Sequence, residues 1–123
     1  MLEKYALSNL GVIISDSHVS PLKKGVIGSA IGVAGFNPMN YCFGKNDLFG
    51  RKMKYTSRAL ADMLSTSAHL CMGECDEQIP YVIIRKASLE FTDENINPKE
   101  MFIEFKKCLF INSLREYFNY KIS

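Results

Sequence analysis

No stretch of this 123-residue chain approaches the ~20 consecutive apolar residues that a membrane-spanning helix needs. The opening MLEKYALSNL lacks the basic segment and longer apolar run of a secretory signal. A charge excess is missing too: 15 Lys and Arg face 13 Asp and Glu, a net of +2. That excess is too small to argue for nucleic acid or an anionic membrane as partner. Internal repeats and low-complexity segments are absent. The four cysteines are scattered, and the chain is long enough not to depend on disulfides. Cys71 and Cys75, with His69 nearby, match no common zinc spacing, and no second pair follows. These absences leave one globular domain, 1–123, expected in the cytoplasm with reduced thiols and neither nucleic acid nor membrane as partner.

What is present is ordinary globular usage, 47% hydrophobic and 23% charged, with one unusual stretch from Gly11 to Gly35. Val12-Ile13-Ile14 has the β-branched content of a buried strand, expected over Gly11–Ser15. It runs into the polar cluster Ser15-Asp16-Ser17-His18, then a loop with Pro21, Lys23 and Lys24, then an apolar glycine-interrupted run, Val26–Ala34. The aspartate and hydroxyls are hard oxygen ligands suited to Mg or Mn. Glycines let backbone N–H groups approach an anion closely. A second reading stands beside this one: Asp16 closes a turn, and the glycines serve tight packing.

Residues 2–8 suggest a short helical turn. A buried strand starting so near the first residue points to further sequence upstream. Val26–Ala34 reads as a strand with close backbone neighbours, and 36–54 reads as loop. Asp47 is expected to bond its own turn, and Lys52–Tyr55 to form a short strand. Leu60, Met63, Leu64, Ala68 and Cys71 fall at helical spacing, with Thr56 or Ser57 as cap and Gly73 as terminator. His69 in the last turn suits the helix dipole better than a metal. A polar loop with three carboxylates, Glu74, Asp76 and Glu77, leads to an expected strand over Tyr81–Arg85. Asn97-Pro98-Lys99-Glu100 reads as the start of a C-terminal helix over 97–120, with Glu100 reaching back to the cap. Phe102, Phe105, Leu109, Leu114, Tyr117 and Phe118 would give that helix an aromatic packing face. The fold class is α+β, a mixed or antiparallel sheet with packed helices.

The ordered series of motifs resembles the coenzyme F420:L-glutamate ligase (F420-0 gamma-glutamyl ligase) family. It runs through Val12–Ser17, Pro21–Gly35, Asp47–Arg51, Thr56, Ala61-Asp62, Met72–Glu74 and Ile79-Pro80 to the Val82–Arg85 segment. The resemblance covers roughly 11–86 and implies the C-terminal portion of a larger ligase domain. It implies a GTP-driven amide bond between L-glutamate and a small-molecule carboxylate acceptor, by way of an acyl phosphate. Two Mn or Mg ions per site come with it; a homodimer is expected because a fragment of a larger domain exposes apolar surface. The resemblance carries metal ligation onto Asp16, Ser17 and Glu74. It carries nucleotide binding onto Met72, Gly73, Glu74, Cys75, Asp76, Glu77, Gln78 and Ile79. Two departures stand out. The family's upstream half, with a further metal-binding motif, has no match here. His18-Val19-Ser20 replaces an aromatic-and-glycine turn followed by arginine, which bears on the acceptor. An alternative is a non-catalytic nucleotide- and metal-binding or dimerisation module lacking that upstream half. A shared metal would bring the carboxyl oxygens of Asp16 and Glu74 within ~5 Å.

Overall fold

A computed structural model of the chain describes residues 7–118, and the side chains of 115–118 are outside the description. The helical turn expected over 2–8 falls mostly beyond the described residues. Two long antiparallel strands, β1 (Val12–Val19) and β2 (Val26–Ala34), form a hairpin. A second, smaller antiparallel pair joins β3 (Met39–Tyr41) to β4 (Ser57–Ala59). Helix α1 (Leu60–Met72) follows directly and lies against the hairpin, chiefly against β2. The α+β expectation holds, with two small antiparallel sheets.

The first strand does not stop at Ser15. Pairing with β2 carries it through the polar cluster to Val19, so Asp16 and Ser17 lie within a strand rather than at its end. The strand can continue because the Ser15 hydroxyl meets a polar partner on α1, the His69 ring. The register shifts between Ile14 and Ser15: Ile14 faces Gly32 while Ser15 faces Ala30, which leaves Ile31 without an opposite residue. This bulge re-phases β2 by one residue. Val33, Ala30 and Gly28 therefore share the α1 side with Ile13, Ser15 and Ser17.

The core is small. Ala30, Phe36 and Ala61 form its buried centre, with Ile13, Val33, Leu64, Leu89 and Met101 packed around it. Phe36 reaches it by pairing with Phe91: the Asn37 amide donates to the Glu90 carbonyl at 2.8 Å, and the Thr92 amide to the Gly35 carbonyl at 3.1 Å.

Helix α1 starts later than its sequence suggested. Thr56 and Ser57 do not cap it; Ser57 pairs with Tyr41 in β4, and Ala59 stands at the cap without a side-chain bond. The Ala61 amide, one of the first-turn donors that need a partner, donates to the Pro38 carbonyl at 3.2 Å instead. The helix ends at Gly73, with φ 71°, as its sequence indicated. Asp47 also behaves as expected: its Oδ1 accepts from the amides of Phe49 and Arg51, both at 2.8 Å.

The final third departs furthest from expectation. Tyr81–Arg85 is not a strand, because no neighbouring strand pairs with it. Lys52–Tyr55 is reduced to one bridge, Lys52 with Asn46. The helix expected over 97–120 is broken into a 3-10 turn at Pro98–Met101, another at Phe105–Lys107, and helix α2 (Leu109–Phe118). Asn97 does cap the first turn, accepting from the Lys99 amide at 3.0 Å, but extended backbone at Phe102 and Cys108 interrupts the helix. Of the expected apolar stripe, Phe102, Phe105, Leu109 and Leu114 are exposed rather than packed, and the side chains of Tyr117 and Phe118 lie outside the description. Among the described residues no helix is long and apolar enough to cross a membrane.

Candidate functional site

Around Gly28 and Ala30 the inner face of the hairpin is built from small residues, and that lets α1 approach. A Cβ on Gly28 would sit 2.5 Å from His69 Cδ2 and 2.7 Å from the Ser65 carbonyl oxygen. No larger residue fits between strand and helix at that point. Thr66 Oγ1 donates to the Gly28 carbonyl at 2.7 Å. One turn or more earlier, Asp62 Oδ1 accepts from the Ala30 amide at 2.9 Å and from Ser29 Oγ at 3.0 Å. Helix and strand are thus joined by polar bonds at both ends of their contact.

His69 occupies the space over Gly28, and its side chain is only 14% exposed. Its Nε2 lies 2.9 Å from Ser15 Oγ, and its Nδ1 lies 3.1 Å from Glu74 Oε1. An ionised carboxylate only accepts, so Nδ1 carries the hydrogen toward Glu74. In the neutral ring, Nε2 then accepts from the Ser15 hydroxyl. One imidazole therefore bridges strand β1 and the loop after α1. The sequence pattern had assigned His69 to the helix dipole. Its position four residues before Gly73, beside an acidic loop, was the available signal of a wider role.

The loop itself is organised around Glu77. Its Oε2 accepts from the Cys75 amide at 2.9 Å, and its carboxylate fills the space that a Cβ on Gly73 would take. The Cys75 amide first, then the Glu77 and Glu74 amides, hold the Glu77 carboxyl below its ordinary value of 4.5. Gln78 adopts φ 55°, a left-handed conformation unusual for a residue with a side chain.

Of the three residues expected to hold metal, Ser17 lies on the α1 side, opposite Gly28. Asp16 precedes it, and consecutive strand residues point to opposite faces. Asp16 is exposed, and its Oδ1 accepts from the Ser17 amide at 2.7 Å. Glu74 is 45% exposed and bonded to His69. The structure thus brings Glu74 to Ser15, the neighbour of Asp16, through His69, and it records no bond between Asp16 and Glu74. As hard oxygen donors these groups fit Mg or Mn. In number they make part of a site: among the described residues no three His, Cys, Asp or Glu side chains converge on one point. The residues 72–79 expected to meet nucleotide run from the last residue of α1 through the Glu77-centred loop.

Comparison with known proteins bears on this arrangement. Residues 1–86 match the family model described as F420-0:Gamma-glutamyl ligase. The chain is 47% identical to the coenzyme F420:L-glutamate ligase of Methanocaldococcus jannaschii over 103 residues, which is 80% of the chain and 41% of that protein. The protein of the same name from Methanococcus maripaludis is 45% identical over 92 residues, 75% of the chain and 37% of the relative. That from Archaeoglobus fulgidus is 35% identical over 102 residues, 81% and 41% respectively. The chain spans about two fifths of the length of these relatives.

Proposed function

The chain belongs to the F420-0:Gamma-glutamyl ligase family, and from that premise we propose that it supplies part of a GTP-dependent ligase that adds L-glutamate to a carboxylate acceptor in coenzyme F420 formation. In this reading the acceptor carboxylate attacks the γ-phosphorus of GTP. GDP leaves, and an acyl phosphate forms. The amino group of glutamate then attacks the acyl carbon and inorganic phosphate departs, leaving an amide. Bound divalent cations would offset phosphate charge and align the phosphoryl group. Ser17 and Glu74, both on the α1 side of the hairpin, would offer them oxygen; Asp16, on the other face of β1, would do so only for a cation bound there.

This chain's own residues have more limited tasks. The loop 72–79 would receive the nucleotide. Glu77 keeps that loop folded through its backbone amides, and His69 keeps the loop beside β1. The observation that carries the proposal is the His69 bridge. It joins two stretches far apart in sequence, each of which the family likeness implicates in binding. The cytoplasm is the expected compartment, and a homodimer the expected assembly.

A second reading is favoured by a different observation. Val12, Ile14, Val19, Val26, Ile27 and Ile31 of the hairpin are all exposed, more apolar surface than a self-sufficient enzyme domain ordinarily leaves open. On that reading the chain binds nucleotide or metal, or assembles with another polypeptide, without turnover. Incubation with GTP, Mn(II), L-glutamate and the deazaflavin acceptor separates the two. Glutamate-dependent GDP release with a new amide supports the ligase. Nucleotide binding without turnover supports the second reading. Neither binding nor turnover overturns both.

A further inference from the structure

We propose that His69 is a positioning residue whose two ring nitrogens set Glu74 against β1 before any cation or nucleotide arrives. The inference deepens the reading of Glu74 as a metal ligand and rests on it. Three features of the structure carry it. The ring is lodged over Gly28, where the missing Cβ makes room and the Ser65 carbonyl backs the same spot. It is largely buried, so its orientation is fixed by packing. Each nitrogen has one partner, and the two partners lie on different elements, 54 residues from Ser15 and five from Glu74.

The consequence is chemical. A glutamate on a loop has three side-chain torsions to fix. A hydrogen bond to one oxygen removes most of that freedom and leaves the other oxygen for a cation. Groups that hold a ligating carboxylate in this way typically alter metal affinity by ~10–100-fold when removed. Ser15 is the second anchor. Its hydroxyl fixes the far side of the ring, so its loss loosens the same carboxylate at one remove.

The test is Mn(II) affinity, read from the electron paramagnetic resonance signal of free Mn(II), together with amide hydrogen exchange over 73–79. His69→Ala is expected to weaken Mn(II) binding by about tenfold or more and to speed exchange in the loop. Ser15→Ala, a smaller truncation that retains the imidazole but removes its second anchor, should weaken binding by several-fold. His69→Asn, whose amide can still donate to Glu74, should recover part of the loss; a purely space-filling role would not produce that rescue. Mn(II) affinity lost in Glu74→Gln but unchanged in His69→Ala and Ser15→Ala would overturn the proposal and leave the metal reading intact. Absence of Mn(II) binding by the unaltered chain would overturn both.

Discussion

The two faces of the β1–β2 hairpin are made from the same seventeen strand residues and have opposite characters. The inner face carries Ile13 and Val33, packed on the core, and then Ser15, Ser17, Gly28 and Ala30, and α1 lies against it. Along it Thr66, Asp62 and His69 each bond to a strand group. The outer face carries Val12, Ile14 and Ile31, bulky and branched, yet exposed. Ordinary expectation would bury the branched residues and leave the serines open. That expectation is met by Ile13 and Val33 and inverted around Ser15 and Gly28. At the Gly28 end of the covered side, small residues and a hydroxyl allow a close, directional contact with α1. The apolar side is left largely open by the described residues.

The sharpest way to break this comparison is to place one methyl group on each face. Gly28→Ala would drive a Cβ into His69 and the Ser65 carbonyl, and overpacking of that kind should cost about 3 kcal/mol. Gly32→Ala meets only Ile14, at an ordinary 3.7 Å, and should shift stability by no more than about 0.5 kcal/mol. Urea unfolding midpoints of the two variants measure the difference. Equal losses would mean that the faces are not distinct.

A smaller effect is expected at Asp62. Asp62→Ala leaves the Ala30 amide and the Ser29 hydroxyl without their acceptor, a loss of about 2 kcal/mol where the donors are partly buried. Its readout is the same unfolding curve, with faster amide exchange at Ala30. Smaller still is Ile14→Thr. The side chain is 62% exposed, so stability should move by under about 0.5 kcal/mol. Any self-association through this face should weaken, which sedimentation velocity would detect.

The slightest effect concerns the loop. Backbone amides hold the Glu77 carboxyl below 4.5, so its contribution to loop order is fully present above that value. It is lost as pH falls through the lower folded value. The Cys75 amide resonance should report a titration with a midpoint below 4.5, and Glu77→Gln should abolish it. A midpoint at or above 4.5 would contradict the amide arrangement.

How much of this was legible in the sequence depends on whether the signal was local. Gly73 as a terminator, Asp47 bonding its own turn and Asn97 as a cap depend on a few adjacent residues, and each is found. The hairpin strands were visible as β-branched runs. The end of β1 was misplaced because a polar cluster usually marks a turn, and here cross-chain partners on α1 let the strand continue. The same holds for the cap of α1, where Pro38 replaces a side chain. Tyr81–Arg85 has strand composition without a strand beside it, and composition carries no information about partners. For the site, Asp16, Ser17 and the carboxylate loop with Glu74 stand out as hard oxygen donors, and the family likeness gives them metal-binding roles. The residues that connect them to the fold, Ser15 and His69, could emerge only from tertiary geometry.

The account stands on one claim, that the inner stretch of β1 and the loop after α1 act as a single binding neighbourhood. Amide chemical-shift mapping during titration with GTP and Mn(II) tests it most directly. Coupled perturbation of Ser15–Ser17 and Met72–Ile79, with one shared midpoint, is the predicted result. Shifts confined to one of these stretches, or centred on 97–118, would contradict it.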